Sequence, residues 1–315
     1  AQVLMALAIE RPELEIRILA WKSALPISAS QEFFPHRARA WFKGSRVRFE
    51  LDDAVPFGAC HHQKVVVIDD VLAFAGSGDI ASDRWDSEAH LDGDARRVMP
   101  GGARHGPRHE VMCLVDGAAA KALGDLARER WRRMLGEMIP PPPPMPAVWP
   151  PTVPLDLIGV DTAIARTEPA WRGRTSVEEN AALTQAMIAE AKTSLYLENQ
   201  YVTAPAVAEA LAARLAEPQG PEIIIISTGR SPSWFDQLTM DRARAVQLWR
   251  LRAADIFGRL RVWYPCSPDD QPLIVHSKVM VVDDRFARIG SANLNNRSCG
   301  FDTECDLAFE ARTDA

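Results

Sequence analysis

The period of apolar and polar positions changes several times along the chain, and each change predicts an element. AQVLMALAIERPELEIRILAWK reads as a helix followed by a strand at EIRILAW, and VRFELDD predicts a second strand. In HQKVVVIDDVLAFAGSGD, residues 62–79, two apolar runs flank an Asp-Asp turn signal, which predicts a hairpin. A strand at EVMCLVDG and a helix at AAAKALGDLARERWRRMLGEM follow. PPPPMPAVWPP then interrupts the pattern, because prolines cannot donate to a helix or a central strand, and it predicts an extended connector. Beyond it the order repeats. Helices are expected at VEENAALTQAMIAEAKTS, PAVAEALAARLAE and around FDQLTMDRARAVQLWRLRAADIFG, with strands at LYLENQYV, PEIIIIST and LRVWYP. A second hairpin, HSKVMVVDDRFARIGSAN at residues 276–293, precedes a strand-like ECDLAFEA.

This order divides the chain into an N-terminal half (1–138), a proline-rich linker (139–154) and a C-terminal half (155–315). The fold class is α/β: two similar halves, each a mixed sheet flanked by helices, packed about a pseudo-twofold axis because duplicated units bury matching faces.

The two hairpins align without a gap at a spacing of 214 residues: His62 with His276, Lys64 with Lys278, Asp69 with Asp283, Gly76 with Gly290, Ser77 with Ser291, and Asp79 with Asn293. Strand residues alternate faces, so each histidine and its lysine point the same way, and chain reversal at the aspartates returns the serine opposite the histidine. Such a surface suits a tetrahedral phosphate ester. Lys64 and Lys278, with Ser77, Asp79, Ser291 and Asn293 as candidate substrate-binding positions, would surround the non-bridging oxygens. An imidazole can attack phosphorus or protonate a leaving oxygen near neutrality. Two imidazoles facing across one phosphate would supply both jobs, which gives the duplication a reason. A histidine that attacks needs a carboxylate or carbonyl on its other nitrogen. Glu304, 28 residues after His276, and Asp86, 24 residues after His62, are the candidates. Asp69 and Asp283 are read as structural members of the motif that fix the turns.

Apolar residues make up 47% of the 315, enough for a substantial core, and EIIIIST is far short of the roughly 20 apolar residues that a membrane span needs. The formal net charge of −6 offers no global positive field for a polyanion, so nucleic acid is not expected as a partner. Five cysteines without CxxC spacing argue against a disulfide scaffold or a zinc site and suggest a reducing compartment.

Two copies of HxKxxxxD followed by GSxN or a variant resemble the phospholipase D superfamily, and the phrases HHQKVVVIDD, RWD, LYLENQYV and HSKVMVVDD…GSANLNNRS…TECDLA resemble its bacterial phospholipase D-like members. The resemblance covers nearly the whole chain outside the linker. It implies a phospholipase D-like fold and a phosphodiesterase acting on a glycerophospholipid through a covalent phosphohistidine, with no metal or other cofactor. The alcohol is released and the phosphatidyl group passes to water or to another alcohol by transphosphatidylation. It further implies that His62 is the nucleophile and that His276, oriented by Glu304, is the acid. The first copy departs from the family pattern, reading GSGD where GG-x-D is usual, and Asp79 adds a negative charge beside the phosphate.

Three other readings stand beside this one: a cardiolipin-synthase-like phosphatidyltransferase, a nuclease-type phosphodiesterase, and a catalytically dead phosphate-binding module. Intact His and Lys in both copies oppose the last, and the acidic balance opposes the nuclease. The expected partner is a phospholipid at a membrane surface, the expected state a monomer because both motifs lie in one chain, and the expected location the cytoplasm with peripheral contact at the inner membrane. His61 is left open between lining the phosphate site and facing away from it. His105 and His109 are read as solvated, and Trp85, Trp171, Trp234 and Trp263 as core.

Overall fold

A computed structural model describes residues 1–23, 35–81, 83–231 and 233–311. The first part of the chain forms helix α1 (Gln2–Glu10), strand β1 (Arg17–Trp21), helix α2 (His36–Trp41) and strand β2 (Arg48–Asp52), with β1 and β2 paired in parallel. Next come β3 (Val65–Ile68), β4 (Leu72–Gly76), β5 (Arg108–His109), β6 (Met112–Asp116) and helix α3 (Gly117–Leu135). Strands β3, β4 and β6 form an antiparallel sheet in that order. Residues 136–150, which include the prolines, hold neither helix nor strand.

The rest of the chain builds one eight-stranded mixed sheet. Its members are β7 (Asp161–Glu168), β8 (Val177–Glu178), β9 (Ser194–Asn199), β10 (Glu222–Ile226), β11 (Leu260–Trp263), β13 (Lys278–Val282), β14 (Phe286–Gly290) and β15 (Glu304–Glu310), in the order β11-β10-β9-β13-β14-β15-β7-β8. The two-residue β12 (Ile274–Val275) pairs instead with β5. Helices α4 (Glu179–Glu190), α5 (Pro205–Ala216) and α6 (Arg242–Ala254) accompany this sheet, and α7 (Asn296–Gly300) follows the second hairpin. A π-helical turn, Gln237–Asp241, leads into α6. Strand β7 is absent from the sequence-based expectation. DTAIARTE is rich in alanine and acidic residues of low strand propensity, and only pairing along the full length of β15 makes it a strand.

Leu195, Leu197, Ile223, Ile225, Met280 and Val282 on the large sheet pack against Ile188, Leu211, Leu215 and Leu251 on α4, α5 and α6. A second cluster crosses between the halves: Ala73, Ala75, Val115 and Leu123 meet Cys305, Leu307 and Phe309 of β15. Leu123 and Leu307 are fully enclosed there, each contributing about 1.5–3 kcal/mol of burial. The two hairpins are thus fixed against each other by apolar packing through β15.

Both hairpin turns hold their two central aspartates at positive φ (49° and 57° at Asp69 and Asp70, 53° at both Asp283 and Asp284), the geometry that matches strand twist and that Asp tolerates. Asp283 also accepts the backbone N–H groups of Lys192, Thr193 and Ser194, which fixes the start of β9 beside the hairpin. The tryptophans depart from expectation. Trp85, Trp234 and Trp263 are exposed and Trp171 is half-buried, because they sit in loops, in the short helical turn Trp234–Asp236 or at the edge strand β11 rather than on a packed face.

Candidate active site

Each motif histidine is pinned by the other half of the chain. The His62 N–H donates to the Thr303 carbonyl at 3.0 Å, and the His276 N–H donates to the His109 carbonyl at 2.8 Å. Strand register makes the two arrangements equivalent. Gly76 faces Met112 and Gly290 faces Asp306, so Glu110 and Glu304 each stand two residues before the partner of a motif glycine. The glycines are required by this approach: a Cβ on Gly290 would lie 2.5 Å from the Asp306 Cα, and one on Gly76 would lie 2.5 Å from the Val111 carbonyl oxygen. The two imidazoles face each other edge to face with ring centroids 6.5 Å apart.

The orienting carboxylates differ from the sequence expectation. Glu304 serves His62, not His276: its oxygens lie 2.9 and 3.0 Å from His62 Nδ1. It also accepts the hydroxyls of Ser291 and Ser298, each at 2.6 Å. The cause is the crossed pinning, since the backbone before Glu304 is bonded to His62 and carries the side chain to the first-half histidine. Burial opposes the Glu304 charge, but His62, Lys64 and Ser291 outweigh it and hold the carboxyl below its ordinary range. Asp86 is no partner of His62. Its carboxylate is occupied by His90 Nδ1 at 2.9 Å, Arg97 at 3.1 Å and the backbone N–H of Arg108 at 2.8 Å, because the loop that carries it packs behind β5. Beside His276 stands Glu110, with Oε1 3.0 Å from Nδ1 but without hydrogen-bond alignment.

Each lysine stands with its own histidine. Lys64 donates to the His62 carbonyl, Lys278 donates to the His276 carbonyl at 2.5 Å, and Asp79 lies 3.5 Å from Lys64. Burial, and then Lys64, push the Lys278 ammonium down to about 7. Burial and the cations Lys278, Arg84, Arg108 and Lys64 take His276 well below its ordinary value. Burial opposes the charge on Asp79, yet Lys64 and Arg84 keep its carboxyl below the usual range. Burial raises Glu110 against the pull of Arg84 and Arg108.

Two candidate substrate contacts are corrected. Ser77 and Ser291 are fully buried, with hydroxyls donated to the Val111 carbonyl and to Glu304 respectively, because the glycine contact draws the neighbouring strand over them. Asn293 is buried with Oδ1 unpartnered, while Asp79 keeps about a third of its side chain exposed (34%). His61 turns away to Asp52, at 3.0 Å, and Thr303. His109 is held by Glu198 at 3.2 Å rather than solvated. Glu110, Arg84 and Arg108 were not among the sequence candidates. The parallel between HEVMCLVD and TECDLAFE is the signal that points to Glu110.

Residues 185–315 match the family described as "Cardiolipin synthase, PLD-like domain". The chain is similar to phospholipase D A of Dictyostelium discoideum, 23% identical over 87% of this chain and 27% of that protein. It is also similar to phospholipase D1 of Saccharomyces cerevisiae, 26% identical over 76% of this chain and 19% of that protein. The chain thus spans only about a fifth to a quarter of the length of these relatives. Among solved structures, phosphatidylserine synthase of Haemophilus influenzae superposes over 99% of this chain and 73% of its own with a TM-score of 0.61, at 14% identity, a likeness of fold. The matched sequences, with the duplicated motif, support a relationship of the chain to the phospholipase D superfamily.

Proposed function

We propose that the protein is a phosphodiesterase of phospholipase D type that cleaves the headgroup side of a glycerophospholipid by two displacements at phosphorus. The observation that carries this reading is the pair of facing imidazoles, 6.5 Å apart at their centroids, one of them held through Nδ1 by a buried carboxylate. Reacting atoms approach to about 3–3.5 Å before an in-line displacement, so a phosphorus between two ring nitrogens fits this gap.

Glu304 holds the proton on Nδ1 of His62, which leaves the Nε2 lone pair free to attack phosphorus. As the N–P bond forms, the P–O bond to the headgroup breaks and His276 delivers its proton to the departing oxygen. In the second step His276 takes a proton from water or an alcohol, whose oxygen attacks phosphorus, and the P–N bond breaks to restore His62. Lys64 and Lys278 offset the charge that builds on the non-bridging oxygens. Burial and the nearby cations disfavour the proton on His276, and an arriving phosphate anion offsets the cations' repulsion and so favours the protonated acid.

A phosphatidyltransferase is the second reading, supported by the cardiolipin-synthase description of the matching family and by the phosphatidylserine synthase fold neighbour. Hydrolysis of bis(p-nitrophenyl) phosphate tests the shared chemistry. Headgroup release from phospholipids with and without a primary alcohol separates the two readings: a hydrolase forms phosphatidate in water, whereas a transferase turns over only when an alcohol is present. Absence of phosphodiester cleavage in both assays would remove the proposal. No helix among the described residues is long and apolar enough to cross a membrane, and contact with a membrane surface is part of the proposal.

A further inference from the structure

We propose that Arg84 and Arg108 form a subsite for a second anionic group, a carboxylate or phosphate carried by the departing alcohol, so that the site prefers phosphodiesters with an anionic headgroup. This rests on the phosphodiesterase reading and names its substrate class.

Other buried arginines of the chain have close partners. Arg97 donates to Asp86 at 3.1 Å and to the Leu91 carbonyl, and Arg288 donates to Asp306 at 2.5 Å and to Thr184. Arg108, 8% exposed, makes no side-chain hydrogen bond among the described residues; its closest carboxylate, Asp83, is 3.6 Å away and its Nε is buried without a partner. Arg84 is half-buried, its side chain 17% exposed, and lies 3.6 Å from Asp79 and 3.7 Å from Asp83 with its own Nε buried and unpartnered. A guanidinium withdrawn from water without a hydrogen-bonded counter-ion is costly, and a neighbouring like charge adds to the cost. Burial and Arg84 push Arg108 down to about 10. An anion received between the two would relieve both penalties, and the planar fork of guanidinium donors matches a carboxylate or phosphate.

Position assigns that anion to the departing side. Arg108 lies opposite Ile274 and His109 opposite Val275 in the β5/β12 pair. Alternation puts Arg108 and Glu110 on the face that carries His276, while His109 turns to Glu198. Arg108 therefore stands on the side of the proposed acid, and Arg84 adds its charge to the same imidazole. The group that His276 protonates is the headgroup oxygen, and what is attached to that oxygen meets the arginines. A choline headgroup would bring its cation against two guanidiniums.

The test is headgroup release by the intact chain from short-chain, soluble phosphatidyl substrates that differ only in the headgroup: glycerol, glycerol phosphate and choline. We expect kcat/KM for the glycerol phosphate headgroup to exceed that for glycerol by at least about 10-fold, the scale of one charge-assisted hydrogen bond, with choline poorest. In Arg84→Gln and Arg108→Gln the ratio of the first two should fall toward one, and Arg108→Lys, which keeps charge but loses the fork, should retain part of it. Preference for glycerol or choline in the unaltered chain, or a ratio unmoved by both glutamine variants, overturns the subsite. Cleavage of bis(p-nitrophenyl) phosphate alongside either result leaves the phosphodiesterase reading standing, whereas loss of all phosphodiester cleavage overturns both.

Discussion

His62 and His276 occupy equivalent places in equivalent hairpins, yet their surroundings differ. The carboxylate behind His62 is fully buried and accepts from two serine hydroxyls besides the imidazole. The one behind His276 approaches without hydrogen-bond alignment and is pushed upward by burial. Support for the hairpins differs as well. Opposite Gly290 stands Asp306, which accepts the Ser291 and Ala292 N–H groups and the Arg288 guanidinium in a dry network; opposite Gly76 stands Met112, whose sulfur accepts the Gly78 N–H at 3.1 Å. Duplication supplied the frame, and the residues inside it differ in the way the proposed roles require: a rigidly held imidazole suits attack, and one whose proton depends on surrounding charge suits acid and base work.

Substitutions at the two carboxylates break this comparison most sharply. Glu304→Gln offers an amide that can donate to Nδ1 and so favour the wrong tautomer of His62, and turnover should fall by roughly 10⁴-fold, the scale seen when a triad carboxylate is replaced by its amide. Glu110→Gln should cost about 10-fold, the low end for a group that only orients a ligating or reacting imidazole. Equal losses in steady-state assays would mean that the two positions are interchangeable. Next in size is the structural difference. Asp306→Asn leaves Arg288 buried without its counter-charge and should cost about 3–5 kcal/mol in denaturant unfolding. Met112→Leu, of similar volume, should cost less than about 1.5 kcal/mol.

Replacing Lys64 or Lys278 with Met keeps most of the stem and removes the charge, and turnover should fall about 100-fold or more. Near-normal turnover in either variant would take that lysine out of the site. The Lys278 charge can also be removed by pH. A p-nitrophenolate needs no proton to leave, so kcat/KM for such a substrate should lose Lys278's contribution as pH rises through about 7, where its ammonium deprotonates, and keep it below. In Lys278→Arg that alkaline limb should move to higher pH, while Lys64→Arg should leave it in place.

How much of this was legible in the sequence depends on the range of the interaction. The hairpins were, because period-2 alternation around an Asp-Asp turn is local and its repetition at 214 residues fixed both registers at once. The convergence of His62, Lys64, His276 and Lys278 followed from that repetition. The partner of His62 did not. Glu304 reaches it through backbone pairing between segments 242 residues apart, and nearness in sequence to His276 pointed the other way. Glu110 was hidden because the stretch between motif and third strand is longer in the first half, so the gapless alignment ended before it. The burial of Ser77 and Ser291 depended on how closely a neighbouring strand crosses the motif glycine, which residue identity alone does not reveal.

The most direct test of the division of labour is to quench bis(p-nitrophenyl) phosphate turnover within the first cycle and locate the phosphorylated residue by mass spectrometry in the unaltered chain, His276→Ala and His62→Ala. With an activated leaving group, His276→Ala should still release a burst of phenolate and accumulate the adduct on His62, because the second step lacks its base, and His62→Ala should show neither burst nor adduct. An adduct on His276 would reverse the roles, and turnover with no adduct in any of the three would contradict the covalent mechanism itself.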